Sequence, residues 1–170
     1  MTSDLYNVFS KNNIKIIKRI ASLGHEIGIH FDETCYSRND DLAWAIQKEA
    51  RILGEAIEQD VKTVSMHRPS KGLLDENIQI DGIINSYSDV FFKEFKYLSD
   101  SRRRWREPVE EIINTGAYNR LHILTHAFWY NEIEIDLYES VFGFIRSAQQ
   151  ERYSSMAENI TDIESIEKNR

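Results

Sequence analysis

The sequence predicts an α/β fold with a mostly parallel sheet, and three observations carry that prediction. Short apolar runs of strand length alternate with longer amphipathic stretches, as in βαβ units joined by right-handed crossovers. Histidines and acids fall where those runs end, and the carboxyl ends of parallel strands are where such folds gather functional groups. With 170 residues, 2 prolines and 7 glycines, the chain suits one domain spanning 1–170 and shows no linker-rich tract.

The elements follow in order. Ser10 can cap a helix over 11–23, with Ile14, Ile17, Ile20 and Ala21 on one face and Gly24 as its stop. The segment from His25 to Phe31 alternates, placing Ile27, Ile29 and Phe31 on one face of a strand. Asn39 can cap a second helix over 40–59, striped by Leu42, Ile46, Leu53 and Ile57. A second strand runs from Val61 to Met66 and is stopped by His67-Arg68-Pro69. Weaker strand signals lie at 82–86 and 95–99, and a stronger one at 120–125. Pro108 suits the first turn of a short helix that ends near Gly116. From Asn131 the chain reads as mostly helical, with Tyr138, Val141, Phe142, Ile145, Ala148 and Met156 recurring at steps of one helical turn. The last residues, about 155–170, are expected to fray.

Composition narrows the function classes. A net charge of −7 argues against nucleic acid as a general partner, even with Arg102-Arg103-Arg104-Trp105-Arg106 in the chain. These arginines fit better as solvent-facing groups, as partners of nearby acids, or as holders of an anionic sugar or nucleotide-sugar phosphate. The single cysteine, Cys35, excludes an intrachain disulfide. The opening residues lack the basic and apolar regions of a secretory signal, and no apolar run reaches the ~20 residues a membrane helix needs. A cytoplasmic location without a membrane span is therefore expected.

The strand ends carry the chemistry. The first ends at His30-Phe31-Asp32-Glu33, the second at His67-Arg68, the fourth at Asp100-Ser101 and the last at His126. Taken singly, each has a bland alternative: His30 a core histidine bonded to a carbonyl, His67-Arg68-Pro69 a turn, His126 a strand cap. His122, inside its strand, reads as structural. Their coincidence on one rim is what points to a site. Imidazole nitrogens and carboxylates suit Zn²⁺ or a similar divalent ion, and a neighbouring histidine can protonate a leaving group. Hydrolysis of an amide or ester is the natural reaction class.

The same residues resemble a family. Gly24-His25-Glu26-Ile27-Gly28-Ile29-His30 is similar to a motif of polysaccharide deacetylases of the NodB-homology type. A divergent branch associated with surface-glycan biosynthesis is also resembled at Leu5–Ser10, His30–Glu33, Ser65–Ser70, Tyr97–Arg106 and Leu121–His126. The resemblance implies a distorted (β/α) barrel and metal-dependent removal of an acetyl group from an N-acetylated sugar. It implies His30 as a metal ligand, His67 as a further one, and His126 as the histidine that protonates the leaving amine. Arg68 would orient a catalytic acid, Asp100 would be a catalytic residue that with Trp105 shapes the sugar site, and Arg104 and Asp32 would join Trp105 in binding the sugar.

Two departures from the family pattern shape the expectations. Where the wider family has a second metal histidine this chain has Thr34, leaving Glu33 or Asp32 as substitutes. The family's aspartate-rich opening motif has no counterpart, so the barrel is expected to be incomplete and the metal weakly held. An incomplete sheet would leave an edge that invites self-association. The alternative function is a catalytically silent glycan-binding or scaffolding remnant.

Overall fold

The computed structural model describes residues 7–37 and 39–168, so Leu5 and Tyr6 of the first resembling block lie outside the described residues. The fold is mixed α/β with parallel strands and a long C-terminal helix. It divides into two compact units. The first takes the chain up to Leu98 and adds Val109–His122; the second joins Ser99–Pro108 to the chain from Ile123 onward.

In the first unit, helix α1 (Lys11–Ser22) is capped by the Ser10 hydroxyl, which accepts from the Asn13 amide at 3.2 Å. Gly24 follows it at φ +89, a left-handed turn that glycine reaches without a Cβ penalty. Strand β1 (Ile29–Phe31) is shorter than the alternation from His25 suggests, because pairing begins only at Ile29. Just before it, the chain runs so close to the next strand that a Cβ on Gly28 would lie 2.5 Å from the Thr63 hydroxyl. Helix α2 (Leu42–Ile57) starts later than expected, with Asp41 rather than Asn39 as its cap: Asp41 Oδ1 accepts from the Trp44 amide.

Strand β2 (Thr63–Met66) then pairs in parallel with β1, setting Ile29 beside Val64, His30 beside Ser65 and Phe31 beside Met66. After α3 (Lys71–Glu76), the short β3 (Ile84–Asn85) adds to the other side of β2, also in parallel. The strand order is β1-β2-β3. Strand alternation sends Ile29, Phe31, Val64 and Met66 to one face, where they pack with Ala45, Ile46, Ala50, Leu53 and Ile57 of α2. Phe31, Ile46 and Val64 are the largest fully buried side chains of this core.

Helix α4 (Asp89–Lys93) precedes β4 (Lys96–Ser99), and α5 (Val109–Thr115) precedes β5 (Leu121–Leu124). Pro108 leads into α5 and Gly116, at φ +61, follows it. Strands β4 and β5 form a two-stranded sheet in which the Lys96 backbone amide donates to the Arg120 carbonyl and the Asp100 backbone amide to that of Leu124. Both partners advance together along the pair, which is a parallel register.

In the second unit, α6 (Leu137–Asn159) is capped by Asp136 and is followed by α7 (Ile163–Lys168). The apolar recurrence along α6 is present, yet Tyr138, Phe142, Ile145 and Met156 are exposed and only Ser140 is buried. Among the described residues, no helix is long and apolar enough to cross a membrane.

Candidate functional site

Two polar clusters form, one in each unit. The first follows from strand alternation. With Ile29, Phe31, Val64 and Met66 turned to the core, His30, Ser65 and His67 emerge on the opposite face. The register sets His30 beside Ser65, and the backbone ladder continues one step further as the His67 amide donates to the Phe31 carbonyl. His30 Nδ1 lies 2.8 Å from Ser65 Oγ, and His30 Nε2 lies 3.0 Å from His67 Nδ1. The rings meet edge to face. Ser65 Oγ also faces the Ile29 carbonyl at 3.4 Å. If Ser65 donates there, it accepts from His30 Nδ1–H, His30 Nε2 accepts from His67 Nδ1–H, and His67 Nε2 carries the lone pair.

The neighbouring acids are engaged locally. Asp32 caps the 3₁₀ turn Glu33–Cys35, accepting from the Thr34 hydroxyl at 2.7 Å and amide at 3.0 Å. These two bonds hold its carboxyl below the usual range, with the His67 and His30 rings contributing less. Glu33 turns to the start of α3, where one oxygen takes the Ser70 amide and the other the Ser70 hydroxyl. Arg68 is exposed, with a left-handed backbone at φ +48, and makes no ion pair among the described residues.

A three-donor metal centre does not assemble from this set. Two ligand nitrogens on tetrahedral zinc sit about 3.3 Å apart for Zn–N bonds of about 2.0–2.1 Å, close to the His30–His67 separation. Glu33, the expected third donor, is spent on Ser70. Among the described residues, no three His, Cys, Asp or Glu side chains gather in a way that could hold a metal ion.

The second cluster is built where β4 and β5 end. Asp100, 3% exposed, continues the strand ladder with its side chain: Oδ1 and Oδ2 accept from the His126 amide at 3.1 and 3.0 Å. Oδ1 also takes the His126 ring nitrogen Nδ1 at 2.6 Å, and Oδ2 the Tyr130 hydroxyl at 3.0 Å. Burial alone would raise the Asp100 carboxyl, but these hydrogen bonds outweigh it and hold the carboxyl below its usual range. The Tyr130 phenol is pushed up, first by burial and then by the adjacent carboxylate. With Nδ1 committed to Asp100, His126 turns Nε2 outward from a side chain that is 43% exposed.

The loop between the strand end and Pro108 carries the arginines. Arg102 and Arg103 both adopt left-handed conformations, at φ +61 and +58, an uncommon pair for non-glycine residues. Arg103 reaches the Ile135 carbonyl, and the Arg104 amide donates to the Asp100 carbonyl at 3.2 Å. Arg102, Arg104 and Arg106 are exposed and make no ion pair among the described residues, and Trp105 is half-buried.

Of the expected site residues, the fold joins His30 to His67 in the first unit and Asp100 to His126 in the second. Ser65 and Tyr130 are added partners. Ser65 was findable as the residue two before His67 on the same strand face, whereas Tyr130 carried no such mark. His122 is a structural histidine, ringed by Phe91, Phe92 and Tyr97. A concavity of about 660 Å³ beside the end of α2, lined by Arg51, Gly54, Glu58 and Lys62 among others, contains none of these groups. Compared with family models, curated proteins and solved structures, the chain matches none of them.

Proposed function

We propose that the chain is a carbohydrate deacetylase-like hydrolase that removes the acetyl group from an N-acetylated sugar or glycan precursor, with His126 as the proton donor. The observation that carries this is the Asp100–His126 pair. A buried carboxylate fixes Nδ1, which defines the tautomer and leaves Nε2 as the one nitrogen that gains and loses a proton. In acetamide hydrolysis, water adds to the carbonyl carbon and gives up a proton to solvent, the C–N bond breaks, and the departing amine takes a proton from a donor that solvent then recharges. His126 Nε2–H is suited to supply it, and Asp100 stabilises the imidazolium beforehand. Hydrolysis of an amide is the reaction the sequence resemblance implies.

In this reading the strands belong to a distorted, incomplete (β/α) barrel. The parallel order of β1-β2-β3, with α2 on one face and His30, Ser65 and His67 on the other, is compatible with helices outside and polar groups inside. The exposed arginines and half-buried Trp105 that follow Asp100 suit an anionic acetamido sugar, such as one carried on a nucleotide diphosphate. Among the described residues a divalent metal would meet His30 and His67 as donors, so its binding is proposed to be weak. The exposed apolar side of α6 supports self-association. A second reading, a catalytically silent glycan-binding or scaffolding remnant, is suited by the way Glu33 turns to the Ser70 amide and hydroxyl.

The test is acetate release from free and nucleotide-diphosphate-linked acetamido sugars with Zn²⁺ supplied, comparing wild type with His126→Asn. Release by wild type alone supports the first reading. Sugar binding by both proteins with no acetate supports the second.

A further inference from the structure

We propose that Tyr130 is a positioning residue for His126, acting through the Asp100 carboxylate; as a catalytic role, this rests on the hydrolase reading above. Asp100 is held by donors from two residues only, among those described. His126 supplies its amide and ring Nδ1, and the Tyr130 hydroxyl supplies the third bond, at 3.0 Å to Oδ2. The two side-chain donors take different oxygens. The Tyr130 hydroxyl therefore joins the His126 amide, which bonds both oxygens, in fixing the carboxylate plane with Oδ1 toward the imidazole, and the amide keeps that plane when the hydroxyl is removed. The tyrosine is not forced into this contact by burial, being 57% exposed. Its backbone is set by the 3₁₀ turn Ala127–Trp129, through a bond from its amide to the Ala127 carbonyl.

The hydroxyl also draws charge from the carboxylate. A donor to the charged form stabilises it, so removing that donor makes Asp100 more basic and a stronger partner for the imidazolium. The charged groups beside the cluster do not duplicate this effect. Arg103 is turned to the Ile135 carbonyl, and Arg102 and Arg104 make no ion pair with Asp100 among the described residues. Asp136 caps its own helix through the Glu139 amide.

The experiment is an NMR titration of the His126 ring in the full chain, for wild type, Tyr130→Phe, Asp100→Asn and the double variant. Tyr130→Phe should move the His126 titration to higher pH. Against Asp100→Asn the same change should do nothing, because the carboxylate through which it acts is gone. A His126 pKa that is unchanged or lowered in Tyr130→Phe would overturn the proposal. So would an equal shift in both backgrounds, which would mean that Tyr130 acts on His126 without Asp100. If the chain releases acetate, the limb of the pH–rate profile set by His126 should move with the NMR value. If it releases none, the titration still decides the Tyr130–Asp100–His126 linkage while the hydrolase reading fails separately.

Discussion

Replacing Asp100 by asparagine tests the second cluster as a physical unit. The asparagine side chain keeps the shape and one acceptor oxygen but places an NH2 group where the other oxygen received a donor. One hydrogen bond is lost and the remainder lose their charge assistance, in a group only 3% exposed. A hydrogen bond to a charged partner contributes about 1.5–3 kcal/mol, and water access at the half-exposed His126 returns part of it, so the expected loss is about 2 kcal/mol. Urea unfolding at pH 7 is the assay. Using Trp44→Phe as the background makes Trp105 and Trp129, both of the second unit, the reporters. The sign with pH is fixed. The Asp100 carboxyl is depressed in the folded state, so its contribution is present above the unfolded value of about 3.9 and is lost as pH falls through the lower folded value. The gap between wild type and Asp100→Asn should therefore be present at neutral pH and close below about 4. A gap under about 0.5 kcal/mol at pH 7, no larger than an ordinary surface substitution gives, would mean that the buried carboxylate does not hold the cluster together.

His122 supplies the opposite sign. Burial among Phe91, Phe92 and Tyr97 lowers its pKa, so stability should fall as pH drops below the unfolded value of about 6.5, and His122→Phe should flatten that dependence in a denaturant series at several pH values. Its Nδ1 is buried with no hydrogen-bond partner among the described residues, so the substitution should also cost little at pH 8. Elemental analysis after dialysis against Zn²⁺-free buffer should find well under one metal ion per chain; a stoichiometric zinc would mean that a third donor joins His30 and His67. Light scattering on dilute protein should report a dimer, and Phe142→Glu on the exposed side of α6 should shift it toward monomer.

Much of the fold was legible because local chemistry and tertiary placement agree. Ser10 caps α1 as its hydroxyl predicts, and Gly24 and Gly116 end helices in the left-handed region. The β1 and β2 cores were readable from alternation, and that alternation also places His30 and His67 on one face. Other features depend on distant partners. Asp41 replaces Asn39 as the cap of α2, a choice between neighbouring polar residues that spacing alone does not make. β1 is cut to three residues by where its partner begins, and β3 to two. The α6 periodicity was visible, but periodicity does not say whether the apolar face has a neighbour. The division into two units has no mark in composition, because Ser99–Pro108 joins residues that lie beyond an intervening helix and strand. Tyr130 was missed because its role exists only once Asp100 and His126 meet.

Deacetylation itself is read from the acetyl methyl signal of an acetamido sugar, followed by proton NMR with protein in excess over substrate. A single turnover then suffices to see chemistry. Wild type is expected to convert the acetamide methyl signal to that of free acetate, with the free amine appearing in step, and His126→Asn to leave it unchanged. A wild-type sample that binds the sugar and leaves the acetamide signal intact, with Zn²⁺ supplied, would rule out hydrolysis by this site.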